Sequence, residues 1–225
     1  MLKRLFIAAS LAGLLPAATQ AAPIVTWSLR DINAATDIKN DGELLKAVRM
    51  HPSDAVTVNG ITFEPGTIGG TPGGYFGTNI GGQNDASLNE LFNSSEYGYS
   101  STTGAYTVTG AVPGQMYRAQ FLAHCANYPH PTDIGIDGTI YNNWETNVTT
   151  TWDDATQSFV GPAVLLEATW VQEAGDTTVD LAIGALAEPN DVWQFNGFVL
   201  QAVPEPASLA LLGLGSLTLL RRRRA

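Results

Sequence analysis

The 225-residue sequence predicts an all-β protein, a single β-sandwich over residues 23–202 flanked by two processing signals. Three observations predict it. Short runs of β-branched and aromatic residues recur, separated by Asn-Gly, Asp-Gly and Pro-Gly turn pairs. Only one stretch has helical spacing. Charged residues make up 14% of the chain while 23 glycines and 9% aromatics are present, a composition at odds with a disordered chain or a coiled coil. A body of this length can bury a full hydrophobic core.

The elements follow in order. Ile24–Leu29 opens the body as a strand, and Asn40-Asp41-Gly42 turns the chain into Leu44–Met50. Ala55–Val58 and Ile61–Phe63 flank Asn59-Gly60, a type I′ hairpin signal because both central residues need φ > 0. Pro65 is expected to end that pair. Gly66–Gly82 holds eight glycines in seventeen residues and is expected to be one long loop. Ser87–Phe92 is the helix, with Ser87 as N-cap and Leu88, Leu91 and Phe92 on its buried face. Ala105–Thr109 and Met116–His124 read as two strands of a hairpin across the type II turn Val112-Pro113-Gly114-Gln115. Ile134–Ile136 and Thr139–Tyr141 form a second hairpin across Asp137-Gly138. Thr146–Trp152, Ala163–Val171, Thr177–Leu186 and Val192–Gln201 complete the sandwich.

Charge narrows the partners. Lys3, Arg4 and Arg221–Arg224 lie in the terminal segments, so the body carries five basic against twenty acidic residues, net −15. That surface repels phosphate backbones and excludes nucleic acid as a partner. Neutral glycans, divalent cations and proteins remain open. The single Cys125 excludes an internal disulfide and reads as a small buried hydrophobe.

Met1–Ala22 has a basic start, an apolar run Leu5–Leu15, and small residues after Pro16. It reads as a signal peptide cut by signal peptidase after Ala21 or Ala22. The other end is more distinctive. Pro204-Glu205-Pro206 precedes the uncharged run Ala207–Leu220, then Arg221, Arg222, Arg223 and Arg224. Fourteen helical residues reach about 21 Å, short of a hydrocarbon core of about 30 Å, so this is a transient anchor. The arginines hold the tail end inside while the body is exported. This arrangement over 203–225 resembles the PEP-CTERM sorting signal of Gram-negative bacteria. The resemblance implies a short transmembrane sorting helix and removal of the tail by an exosortase. It also implies a precursor tethered to the inner membrane, and a final place at the cell surface or in a biofilm matrix rich in exopolysaccharide.

The body is similar to galactose-binding-like and malectin-like jelly rolls. The residues that carry the likeness are Tyr106-Thr107-Val108, Pro113–Arg118 and Ile134–Gly138. It implies a jelly-roll-like sandwich and a tendency to bind carbohydrate.

No catalytic constellation stands out. His124 adjoins Cys125, but neighbouring strand residues point to opposite faces, and neither a zinc motif nor a nucleophile elbow is present. The chain is therefore expected not to be an enzyme, with polysaccharide binding as its role. A purely structural matrix protein and a carbohydrate-active hydrolase working through paired carboxylates are the alternatives. The expected ligand contacts are Tyr75, Tyr128, Tyr141, Asn143 and Trp144, because indole and phenol rings stack on sugar faces while Asn supplies hydrogen bonds. Trp27, Trp152, Trp170 and Trp193 are assigned to the core. Asp133, Asp137, Asp153 and Asp154 offer hard oxygen ligands for Ca²⁺, although Asp137 is also what its turn requires.

Overall fold

A computed structural model describes residues 23–51, 54–74, 78–99, 102–126, 130–145, 147–184 and 192–204. The leader and the sorting tail from Glu205 onward lie outside these residues, as do Tyr75 and Tyr128. Of the described residues, no helix is long and apolar enough to cross a membrane.

The strands in chain order are β1 (Thr26–Ile32), β2 (Glu43–Met50), β3 (Val56–Val58), β4 (Ile61–Gly66), β5 (Thr71–Gly74) and β6 (Thr78–Ile80). Helix α1 (Ala86–Phe92) follows, then β7 (Ser94–Gly98), β8 (Thr103–Thr109), β9 (Met116–Ala123), β10 (Cys125–Ala126), β11 (Pro131–Ile136) and β12 (Thr139–Glu145). The last are β13 (Asn147–Val148), β14 (Thr151–Asp153), β15 (Ser158–Gly161), β16 (Ala163–Val171), β17 (Thr178–Gly184), β18 (Trp193–Phe195) and β19 (Gly197–Ala202).

Two sheets make the sandwich. The larger has the order β1-β16-β9-β19-β2-β4-β3 and the smaller β12-β11-β17-β8. Alternate residues of the large sheet, including Phe121, Leu166, Trp170 and Phe198, meet Val108, Ile134, Ile136, Val179, Leu181 and Ile183 of the small one in one core cluster. The other parity of the large sheet packs beneath α1, through Leu122, Leu165 and Val199 against Leu88, Leu91 and Phe92. Both faces of the central strands are thus covered, which is why β9 and β16 read as near-continuous apolar runs.

Turn chemistry set by the sequence holds. Asn59-Gly60 and Asp137-Gly138 both have positive φ at each position, and Gln115 N donates to Val112 O across Pro113-Gly114. Several expectations are corrected. The strands before and after Val112–Gln115 do not pair as a hairpin: β8 pairs with β17, and β9 with β16 and β19, so this turn crosses between sheets. The helix is capped by Asp85, whose carboxylate accepts from Leu88 N, so Ser87 lies inside it. The glycine-rich stretch is not one loop, since β5 and β6 lie within it and β4 runs through Pro65.

The region expected as one strand, 192–201, breaks at Asn196. Its side chain bridges Phe92 O, Ser94 O and His124 N, and its carbonyl takes the Met50 N–H. Asn196 is fully buried, and these bonds satisfy it while the chain steps from one sheet to another.

Candidate functional site

A third sheet, β18-β7-β5, closes one end of the sandwich and carries a groove of about 300 Å³. Ser95, Tyr97 and Tyr99 follow one another at two-residue spacing and line it together. Gly73, His130, Val192 and Gln194 complete its walls. Tyr99 is 62% exposed and meets Tyr97 edge to face, with ring centroids 5.7 Å apart. Gln194 is nearly buried and is held by a 2.9 Å bond from its amide to His124 O.

The other side of β7 fixes this surface. Glu96 is fully buried, and its carboxylate accepts from Thr67 Oγ1, from the backbone N–H groups of Ile68, Gly69 and Gly70, and pairs with His51 Nε2 at 3.0 Å. The strap 67–70 is thus folded around an acid, and it delivers β5 to the groove. Gly70 has no room for a side chain: a Cβ would lie 2.6 Å from the Trp193 ring and 2.9 Å from Tyr97 O. Gly73 is equally confined, with Ser95 Oγ 2.7 Å from its Cβ position. Gly70 and Gly73 therefore serve close packing, against the Trp193 and Tyr97 rings respectively.

A larger concavity, about 410 Å³, lies on the outer face of the small sheet. Ala105, Gly135 and Ala182 help form it, with Ile140 and Asp180 also at its walls. Its described lining holds no aromatic ring and few polar groups, so it offers a ligand little to recognise.

The expected ligand residues fall differently. Trp144 is fully buried in the main core, so it has no free face for a sugar. The cause is a register shift: Thr132 pairs with Trp144 but Ile134 with Tyr141, so β12 carries one extra residue. The extra residue resets the alternation and turns both Tyr141 and Trp144 inward. Tyr141 is half-buried and packs on Trp27 at 5.4 Å. Asn143 lies on β12, and nothing is described of its side chain. Trp152, expected in the core, is 43% exposed on the β14–β15 hairpin, where it meets Phe159 and donates to Asp154.

The four aspartates are not gathered as a Ca²⁺ site. Asp133 is buried on β11, not in a loop. Asp137 sits in its turn and accepts from Asp180 N, with its carboxyl pushed up by burial and by the nearby Asp176 and Asp180. Asp153 caps a separate turn through Thr156 Oγ1 and Ala155 N, bonds that lower its pKa. Asp154 holds the Trp152 indole. Among the described residues no group of three or more His, Cys, Asp or Glu could hold a metal ion. His124 and Cys125 are both buried, and His124 Nδ1 is engaged by Pro162 O.

The fold is similar to solved structures. The ectodomain of ANX2 from Arabidopsis thaliana superposes with a TM-score of 0.50 at 9% identity, over 72% of this chain and 50% of that one. The ANX1 ectodomain from the same plant gives 0.50 at 11%, over 71% and 42%. Bacteroides uniformis beta-glucuronidase 2, covalently bound to cyclophellitol-6-carboxylate aziridine, gives 0.46 at 16%, over 71% and 18%. The chain thus spans half or less of these proteins, and the likeness is one of fold, in keeping with the jelly-roll resemblance of the body. No curated protein sequence matches the chain. Residues 202–224 match the PEP-CTERM protein-sorting motif, and the chain is a carrier of that motif: an exported protein, tethered to the membrane before its tail is processed.

Proposed function

We propose that the protein is a non-catalytic module of the cell surface or extracellular matrix, released or relocated by an exosortase, that binds a neutral polysaccharide in the Tyr97–Tyr99 groove. The observation that carries this reading is the exposed Tyr99 ring braced edge-on by Tyr97 above polar walls. The C–H face of a pyranose packs on such a ring, whose π face is electron-rich. Ser95, Gln194 and His130 supply polar atoms around it. Neutral sugars fit better than polyanions, because the body carries net −15. Of the described residues lining the groove none is a carboxylate, so a glycosidase acid–base pair has no support there.

The test is a titration of the mature chain with exopolysaccharide from the producing cell and with neutral oligosaccharides. Tyr99→Ala removes an exposed ring and leaves the core intact, so binding is expected to weaken about tenfold at an unchanged melting temperature. Wild-type affinity retained by Tyr99→Ala would remove the groove from the reading.

A further inference from the structure

We infer that the end of the sandwich from which the sorting tail departs is a surface that rests on the bilayer, fitted to a zwitterionic phospholipid headgroup layer. It stands on the membrane tether of the precursor and is independent of whether the groove binds a glycan.

The body ends without a spacer. β19 is paired with β9 and β2 as far as Ala202. Val203 N then donates to Met116 O at 2.9 Å, and Val203 O accepts from Gln115 Nε2 at 2.8 Å. The turn before β2 packs directly on this exit, since a Cβ on Gly42 would lie 2.7 Å from Ala202 O. From Val203 to the uncharged run that begins at Ala207 there are only four backbone steps, at most about 14 Å of extended chain. A headgroup layer takes up about 5–8 Å of that reach. The exit end is therefore held within a few water diameters of the lipid.

That end is also apolar. Ile24 is 92% exposed, Val112 58%, Val171 50% and Leu44 44%; these are four of the eight exposed large hydrophobic residues among those described. Pairing places them together: Val171 lies opposite Met116, Leu44 opposite Gln201, and Val112 begins the turn that leads into β9. Ile24, Thr26, Met116, Thr169, Trp170 and Val171 line a groove of about 180 Å³ there. Glu43, opposite Ala202, and Glu173, two residues past Val171, stand at the same end, while Asp41 is ion-paired with Arg118; the remaining charge disfavours a strongly anionic leaflet and selects zwitterionic lipid. The tyrosine groove lies at the other end, because Gln194 and His130 belong with the Gly197 end of β19, about 20 Å away. An anchored molecule would present that groove outward.

The full-length precursor, reconstituted in phosphatidylcholine vesicles, tests this. Cysteines introduced at exposed positions, Val112→Cys and Tyr99→Cys, take a fluorophore while Cys125 stays buried. Brominated phosphatidylcholine is expected to quench the label at 112 at least about threefold more than the label at 99. Equal quenching, or none at 112, overturns the inference. A twenty-residue Gly-Ser spacer inserted after Pro204 is expected to shrink the difference while the label at 112 stays the more quenched, because the apolar end still meets the lipid. Equal quenching with the spacer would show a tether acting on a surface with no fit to the bilayer, and overturns the inference.

Discussion

Individual side chains show where physical chemistry overrides pattern. His124 is buried, and burial pulls its pKa from 6.5 down to about 4, against a smaller opposing effect of the Pro162 carbonyl. The folded state keeps it neutral, while the unfolded chain takes a proton first as pH falls. Its contribution is therefore intact above pH 6.5, is lost between 6.5 and about 4, and levels off below, amounting to about 3 kcal/mol. Urea unfolding at pH 7 and pH 4.5 is expected to show this loss in the wild type and much less of it in His124→Gln. The comparison cancels Asp137, whose raised pKa acts in the opposite direction. Parallel pH dependences would contradict this reading. Trp144 teaches a related lesson. Its polar neighbours Asn142, Asn143 and Glu145 suggest exposure, but one extra residue in β12 reverses the parity, and no local signal announces a bulge. Tyr97 and Tyr99 carry a legible signal, Ser-x-Tyr-x-Tyr, which strand alternation places on one face.

At the scale of elements, legibility tracks how far apart in sequence the partners lie. β16 occupies the residues its apolar run predicts, because a strand buried on both faces is apolar along most of its length, with Glu167 the exception that pairs with Lys39 and Arg30. The Asn-Gly and Asp-Gly hairpins are equally clear, since the turn alone sets their pairing. The turn at Pro113-Gly114 has the right local geometry but joins two sheets, a fact set by β17 and β19 more than sixty residues later. β7 was not legible: Ser94–Gly98 has little apolar alternation, and its inward side chains are Ser94 and Glu96, polar groups whose bonds substitute for hydrophobic burial. Gly70 and Gly73, which fall in the stretch expected as one long loop, answer instead to close neighbours. Gly70→Ala forces a methyl into the Trp193 ring, and a destabilisation of about 1–3 kcal/mol is expected, together with weaker polysaccharide binding. Denaturant midpoints of the mature variant check it; an unchanged midpoint would mean that β5 and the ring separate at no cost.

For the whole molecule, address and activity are written in different ways. The sorting signal is linear and local, so Pro204-Glu205-Pro206, the apolar run and the arginines were readable without a fold. Substituting Glu205→Ala is expected to leave the tail attached in the producing cell, and intact-mass analysis of the recovered protein reads the result; normal trimming would show that the acid is dispensable. The groove exists only when β5, β7, β18 and the start of β11 converge, so no stretch of sequence contains it. The position of β19 has a temporal consequence. It is the last strand of the body, yet it lies between β9 and β2 near the middle of the large sheet. A chain threaded through an export channel amino end first delivers this keystone last. Until residues 197–202 emerge, the sheet has a gap at its centre, and the long-range pairings that β19 completes cannot form. The body is thus kept from setting prematurely, and closure of the sandwich coincides with arrival of the sorting motif that follows β19.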